Sequence, residues 1–302
     1  MLVPSYLKLF QSGELLERIE MLNSKLQECN LCPRRCGVNR TDGELGYCKG
    51  GRDLVVSSAF SHFGEELPLV GVSGSGTIFL THCNLRCVFC QNYDISHLGS
   101  GNFISAKEVA KTMVRLQDMG CQNINFVTPT HYVPQIVEAL PLAIKMGLNL
   151  PLVFNCGGYE LVEVLELLDG IFDIYMPDMK FMNGNVSRKY CGASDYPAIV
   201  KAAVKEMHRQ VGDADINTNG IMEKGLLVRH LVMPNGLAGS SDCFRFIAEE
   251  ISKDTYINIM AQYYPCYEAN KYEEISRRIT VKEYKDAIEQ AKEYGLHRGF
   301  IK

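Results

Sequence analysis

The feature that most constrains this chain is a rhythm beginning at Thr77. Short apolar runs alternate from there with segments of helical periodicity. The runs are Thr77–Leu80, Ile124–Val127, Leu150–Phe154, Ile171–Met176, Leu226–Val232 and Tyr256–Met260. The first intervening helix opens at Ser105, which has capping-box spacing to Glu108, and ends at Gly120. Further helices fit 132–145, 160–168, 198–210, 240–251 and 281–294. The last is opened by Thr280 and Glu283 with the same spacing. Six strand–helix units in a row predict parallel strands joined by right-handed crossovers. An eight-unit barrel usually needs about 250 residues. Residues 77–302 leave no room for two more units. The predicted fold is therefore α/β, an open, partial (β/α)6 TIM-like barrel over residues 71–302.

Residues 1–70 have a different character and are read as a separate N-terminal unit. A helix is predicted over Ser12–Gln27, with Leu15, Leu16, Ile19, Leu22 and Leu26 near one face. A Gly-, Cys- and Arg-rich stretch without periodicity follows and reads as a cysteine-rich module. Short strands are predicted at Leu54–Phe60 and Leu67–Val70.

Composition narrows the function classes. The chain is 46% hydrophobic with a formal net charge of −4, which argues against general nucleic-acid affinity. No apolar run is long enough to span a membrane. The N-terminus lacks the basic and apolar regions of a signal peptide. A reducing cytoplasm is the expected compartment, and there clustered cysteines point to metal or redox chemistry. Twelve cysteines are present. Cys121, Cys156, Cys191, Cys243 and Cys266 stand singly and read as small core residues.

Cys83, Cys87 and Cys90 follow C-x3-C-x2-C directly after the first strand of the series, where functional loops of such sheets lie. Three thiolates can each hold one iron of a four-iron cluster and leave the fourth iron open to a small molecule. A zinc site using His82, or simply buried thiols, are the alternative readings. The spacing, Phe89 before the last cysteine and Asn92-Tyr93-Asp94 after it resemble the radical S-adenosylmethionine superfamily, and within it the pyruvate formate-lyase-activating enzymes. The resemblance covers roughly residues 70–265. It implies a [4Fe-4S] cluster whose open iron chelates S-adenosylmethionine, and reductive cleavage to a 5′-deoxyadenosyl radical that abstracts hydrogen. It also implies a reducing partner such as flavodoxin or ferredoxin.

The same resemblance carries over to the strand ends. Asp178-Met179-Lys180 matches an Asp-Leu-Lys segment, with Lys180 toward the methionyl carboxylate. Arg229 matches a strand arginine and is a second carboxylate partner. Asn155 stands where ribose hydroxyls are held, and Gln262 and Tyr263 where adenine or ribose is contacted. One departure is plain. The family's Gly-Gly-Glu is replaced by Val127-Thr128-Pro129-Thr130-His131. Thr128 or Thr130 can accept ammonium hydrogen bonds in its place, with Thr130 the residue assigned. His131 reads either as a cavity acid–base group or as a helix-start residue.

Cys29, Cys32, Cys36 and Cys48 follow C-x2-C-x3-C-x11-C. They read as a second metal site, either structural zinc or a complete iron–sulfur cluster, or as reduced buried thiols. Gly71–Gly76 resembles a phosphate loop but lacks the following Lys-Ser/Thr and precedes a strand. The functional reading is a radical enzyme that activates a glycyl-radical enzyme. The alternatives are radical modification of a small molecule, nucleoside or peptide, and a non-catalytic metal-bearing interaction protein.

Overall fold

The computed structural model describes residues 3–300. Its strands are β1 (Leu54–His62), β2 (Ser75–Leu80), β3 (Asn102–Ile104), β4 (Ile124–Val127), β5 (Leu152–Cys156), β6 (Ile174–Pro177), β7 (Asp215–Ile216), β8 (Met222–Leu231) and β9 (Tyr256–Met260). Strands β2, β4, β5, β6, β8 and β9 lie side by side in that order, every neighbouring pair parallel. These are the six predicted strands. Helices Ala106–Asp118, Val133–Lys145 and Tyr196–Val211 supply the longest crossovers. Both predicted capping boxes form, at Ser105 with Glu108 and at Thr280 with Glu283. Among the described residues no pairing joins β9 to the opposite end of the sheet, so the barrel stays open. That opposite end is extended by β1, antiparallel to β2, and by β3, antiparallel to β1.

Central strands of a parallel sheet are covered on both faces and become continuously apolar. Accordingly every residue of β5 and β6 is buried. On the helix-covered side Phe126, Phe154, Phe172 and Tyr175 pack edge to face.

The opposite face lines the barrel interior. Side chains two residues apart share a face of a strand. Val153 and Asn155, Ile174 and Met176, and Leu227, Arg229 and Leu231 thus form inward rows. Asn155 and Arg229 are their polar members, and the rest are apolar. The floor below them explains a correction. Leu67–Val70, expected as a strand, is a helical turn with Pro68 in its first positions. Proline has no N–H for a sheet ladder, but its fixed φ suits a helix start. The turn inserts fully buried Leu69 against Val153, Ile174, Met176 and Leu227 and seals the lower end of the barrel.

Boundaries also move, including the start of β6, at Ile174 rather than Ile171, and of β8, at Met222 rather than Leu226. The predicted helix over Ser12–Gln27 is divided at Gly13, whose φ of +86° caps Tyr6–Ser12 before Glu14–Ser24 begins. The third strand of the series starts at Leu152 rather than Leu150, just after Pro151. Residues 25–53 are irregular apart from the single turn Arg40–Asp42. No helix among the described residues is long and apolar enough to cross a membrane.

Candidate active site

The loop after β2 carries Cys83, Cys87 and Cys90 at the upper end of the barrel. It is held in a conformation that ordinary side chains avoid. His82 and Arg86, each directly before a cysteine, have φ of +66° and +52°. Its neighbours hold it there. Asn84 donates to the Tyr159 carbonyl at 2.7 Å, and the Val88 N–H donates to the Tyr190 carbonyl at 2.9 Å. Phe89 wedges edge-on between Phe181 and Tyr263. The Leu85 N–H donates to Cys83 Sγ at 3.4 Å, and Cys90 Sγ lies 3.1 Å from Ser96 Oγ.

The three thiols line a recess beside a cleft of about 350 Å³, a volume within the range of small-ligand sites. Asn155, Asp178, Lys180 and Arg229 line both spaces and form one connected network. Arg229 Nε donates to Asp178 Oδ1 at 2.7 Å, and Arg229 Nη2 donates to Asn155 Oδ1 at 2.8 Å. Lys180 Nζ donates to Asp178 Oδ2 at 2.5 Å. Burial would raise the Asp178 carboxyl, but the Arg229 and Lys180 cations hold it below its usual range. Burial would likewise lower Lys180, but Asp178 and the Cys87 sulfur push it above the ordinary lysine value. The Asp178 carboxylate thus fixes two cations at the cleft wall. Each retains N–H groups for an anionic ligand.

The thiols themselves are disfavoured as free thiolates. Burial, then Cys87 nearby, pushes Cys83 up to about 12. Burial and Cys87 also raise Cys90. Cys87 is raised first by its thiol pairing with Cys191, the two sulfurs 3.2 Å apart, in which Cys87 keeps its proton, and then by burial. Buried thiolates that repel one another need a bound cation. The donor set therefore suits a metal cluster, with Lys180 favouring the ionised form of Cys87 and Cys90. Among the described residues no three His, Cys, Asp or Glu side chains already stand together at metal-holding distances. For Cys87 the visible reason is its pairing with Cys191.

Gln262 lines the cleft as expected from its strand end. Tyr263 does not. It is buried, and its hydroxyl donates to the Ile275 carbonyl at 2.6 Å. Thr130 is also not brought to the cleft. It is buried, and its hydroxyl donates to Glu160 Oε1 at 2.9 Å. Thr128, at φ +61°, lines the cysteine recess instead. His131 takes the helix-start reading. It is buried in the turn Thr130–Tyr132, with Nε2 2.8 Å from the Thr81 carbonyl. Burial pushes its pKa down to about 3, so the ring is neutral.

Sequence reasoning missed two contributors, Glu65 and Cys191, and, outside the cleft lining, the buried carboxyl of Glu160. Glu65 comes from the segment that closes the barrel floor and lies 3.7 Å from Arg229 Nη1. Cys191, read as a core residue, touches Cys87. Glu160 is fully buried between Thr130 and Cys156, and burial raises its carboxyl to about 7. No local pattern marks Glu65 or Cys191, whose partners Arg229 and Cys87 are remote in the chain.

Comparison with known proteins points one way. Residues 77–224 match the family model of the Radical SAM superfamily. An uncharacterized protein of Methanocaldococcus jannaschii is 34% identical over 293 residues, covering 92% of this chain and 78% of its own length. A second uncharacterized protein of that organism is 22% identical over 274 residues. The pyruvate formate-lyase-activating enzyme of Listeria monocytogenes is 26% identical over 132 residues, 40% of this chain and 53% of that enzyme.

Proposed function

The chain belongs to the radical SAM superfamily, and we propose from its site that Cys83, Cys87 and Cys90 hold a [4Fe-4S] cluster beside bound S-adenosylmethionine. Together these groups supply reductive cleavage of the sulfonium, giving a 5′-deoxyadenosyl radical for hydrogen abstraction. The observation that carries the reading is the continuity of the three-thiol recess with the cleft walled by Asn155, Asp178, Lys180 and Arg229.

The residues then divide the work. Lys180 and Arg229 present N–H donors to the methionyl carboxylate, and Asp178 keeps both heads in place. Asn155 accepts from Arg229 and keeps its amide N–H groups for ribose hydroxyls. Gln262 borders the adenosyl end. Phe89 and its aromatic neighbours exclude water from one side of the recess. A flavodoxin or ferredoxin is the proposed electron donor.

For the target we favour a glycyl-radical enzyme. The partial likeness to an activating enzyme and the open barrel flank, which leaves room for a partner's loop, support this choice. Anaerobic reconstitution is expected to give about four irons at this loop, with formation of methionine and 5′-deoxyadenosine under reduction. Cys87→Ala should abolish that cleavage, and its retention would sink the assignment. Incubation with a candidate glycyl-radical enzyme should produce a glycyl-radical resonance. Hydrogen transfer from a small molecule, nucleoside or peptide in place of that signal identifies the alternative target class.

A further inference from the structure

We propose that Cys29, Cys32, Cys36 and Cys48 form a closed four-thiolate site for a single zinc ion, and that this site staples the segment bracing the cluster loop.

The segment needs such a staple. Residues 25–53 contain one three-residue turn and no other regular structure. Yet Cys29, Cys32 and Cys48 are only 6–7% exposed. Its internal hydrogen bonds fold it back on itself at the cysteines. The Cys29 N–H donates to the Val38 carbonyl at 2.9 Å, and the Gly37 N–H donates to the Cys29 carbonyl at 3.0 Å. The Tyr47 N–H donates to Cys36 Sγ at 3.4 Å, which brings the far arm beside the near one. The Gly50 N–H donates to Cys48 Sγ at 3.3 Å. Burial first, and then Cys29 beside each, raises the Cys32 and Cys48 thiols. The backbone bonds thus gather the four cysteines into one neighbourhood. As in the Cys83 loop, they do not yet stand at coordinating distances as a group. The backbone around them is what is already built.

Burial raises the Cys32 and Cys48 thiols, so thiolates form there only around a bound cation, and three features of the surroundings suit that state. Backbone N–H groups aimed at sulfur favour the ionised form. Strained residues flank these cysteines as they flank the cluster ligands: Arg35 before Cys36 has φ +40°, and Lys49 after Cys48 has φ +68°. Arg40, 1% exposed and close enough to stabilise an ionised Cys48, donates to the carbonyls of His131 and Gly51 rather than to a carboxylate. A buried cation without a carboxylate calls for a negative group nearby. Four thiolates around one divalent ion carry a net charge of −2 and meet that need.

The occupant is small. A Cβ at Gly46 would fall 2.8 Å from Cys36 Sγ, and one at Gly50 3.5 Å from Cys48 Sγ. Backbone packed this closely on the sulfurs suits one tetrahedral ion rather than a four-iron cube. The site also reaches the catalytic loop. Between Cys32 and Cys36, Arg34 stacks 3.9 Å from the Tyr47 ring centre. Its Nε donates to the Asn84 carbonyl at 2.9 Å, directly after Cys83, and its Nη2 donates to the Cys191 carbonyl at 2.8 Å.

The test is metal analysis of the full chain. One zinc per chain is expected, and it should persist when Cys83, Cys87 and Cys90 are all changed to Ala and the iron is lost. Cys32→Ser should release it. Protein produced in cobalt medium should show thiolate-to-cobalt charge-transfer and tetrahedral ligand-field bands, a readout that needs no variant. Absence of zinc, or retention of about four irons in the triple variant, overturns the proposal. Neither result depends on whether S-adenosylmethionine is cleaved.

Discussion

Asp178 is a carboxylate whose burial is tolerated because two cations meet it, and Glu160 is one whose burial raises its pKa to about 7, so that it holds its proton in acid. The first was legible in sequence because Asp178-Met179-Lys180, at a strand end, resembles the Asp-Leu-Lys segment of the activating enzymes. Asn155 and Arg229 were legible for the same reason, and all three are joined in the structure. Thr130 was misplaced because its hydroxyl is taken by Glu160, 30 residues away, a pairing that packing alone creates. Cys191 was invisible for the same reason, lying 104 residues from Cys87. Glu160 yields a prediction with a definite sign. Its folded pKa of about 7 exceeds the ordinary 4.5. The folded state therefore binds the extra proton, and the stabilisation is full below pH 4.5 and lost as pH rises through 7. Unfolding free energy from denaturant titrations should fall by up to ~1.4 kcal/mol per pH unit between pH 5 and 7 from this group, and level off above. Glu160→Gln should flatten that slope, and an unchanged slope would assign the pH dependence elsewhere.

Among elements, the helices with capping boxes were read correctly because capping is local chemistry. Ser105 and Glu108, or Thr280 and Glu283, need nothing beyond three residues of spacing. The turn at Leu67–Val70 was misread because four apolar residues suit a strand or a buried turn equally, and Pro68 was given too little weight. The small strands β3 and β7 carry too few residues to show a period. The cluster loop depends on a partner element, the Arg34 segment. Hydrogen bonds to a charged donor contribute about 1.5–3 kcal/mol. Arg34→Ala should therefore loosen the loop without unfolding the chain. Iron retained after gel filtration of the reconstituted protein should fall below wild type, with the circular dichroism spectrum unchanged. Equal retention would show that the bracing is not needed.

Across the whole molecule the order of six parallel strands followed from periodicity alone, because parallel strands require crossovers and crossovers require helices. What periodicity did not reveal is how the ends are finished, with β1 and β3 added beyond β2 and the floor filled from within. The core on the helical side is one continuous cluster that includes Phe126, Phe154 and Phe172. Phe154→Ala, at a fully buried position of the central strand, should lower unfolding free energy by about 3–5 kcal/mol. A loss below 1 kcal/mol in chemical denaturation would mean that the core closes over the gap.

The buried Leu69 turn has a kinetic consequence. Closure below leaves the upper mouth and the open flank beyond β9 as the routes into the cleft. On the function proposed above, a target that covered both would hold the products in place until it departed, and its residence time would then limit turnover.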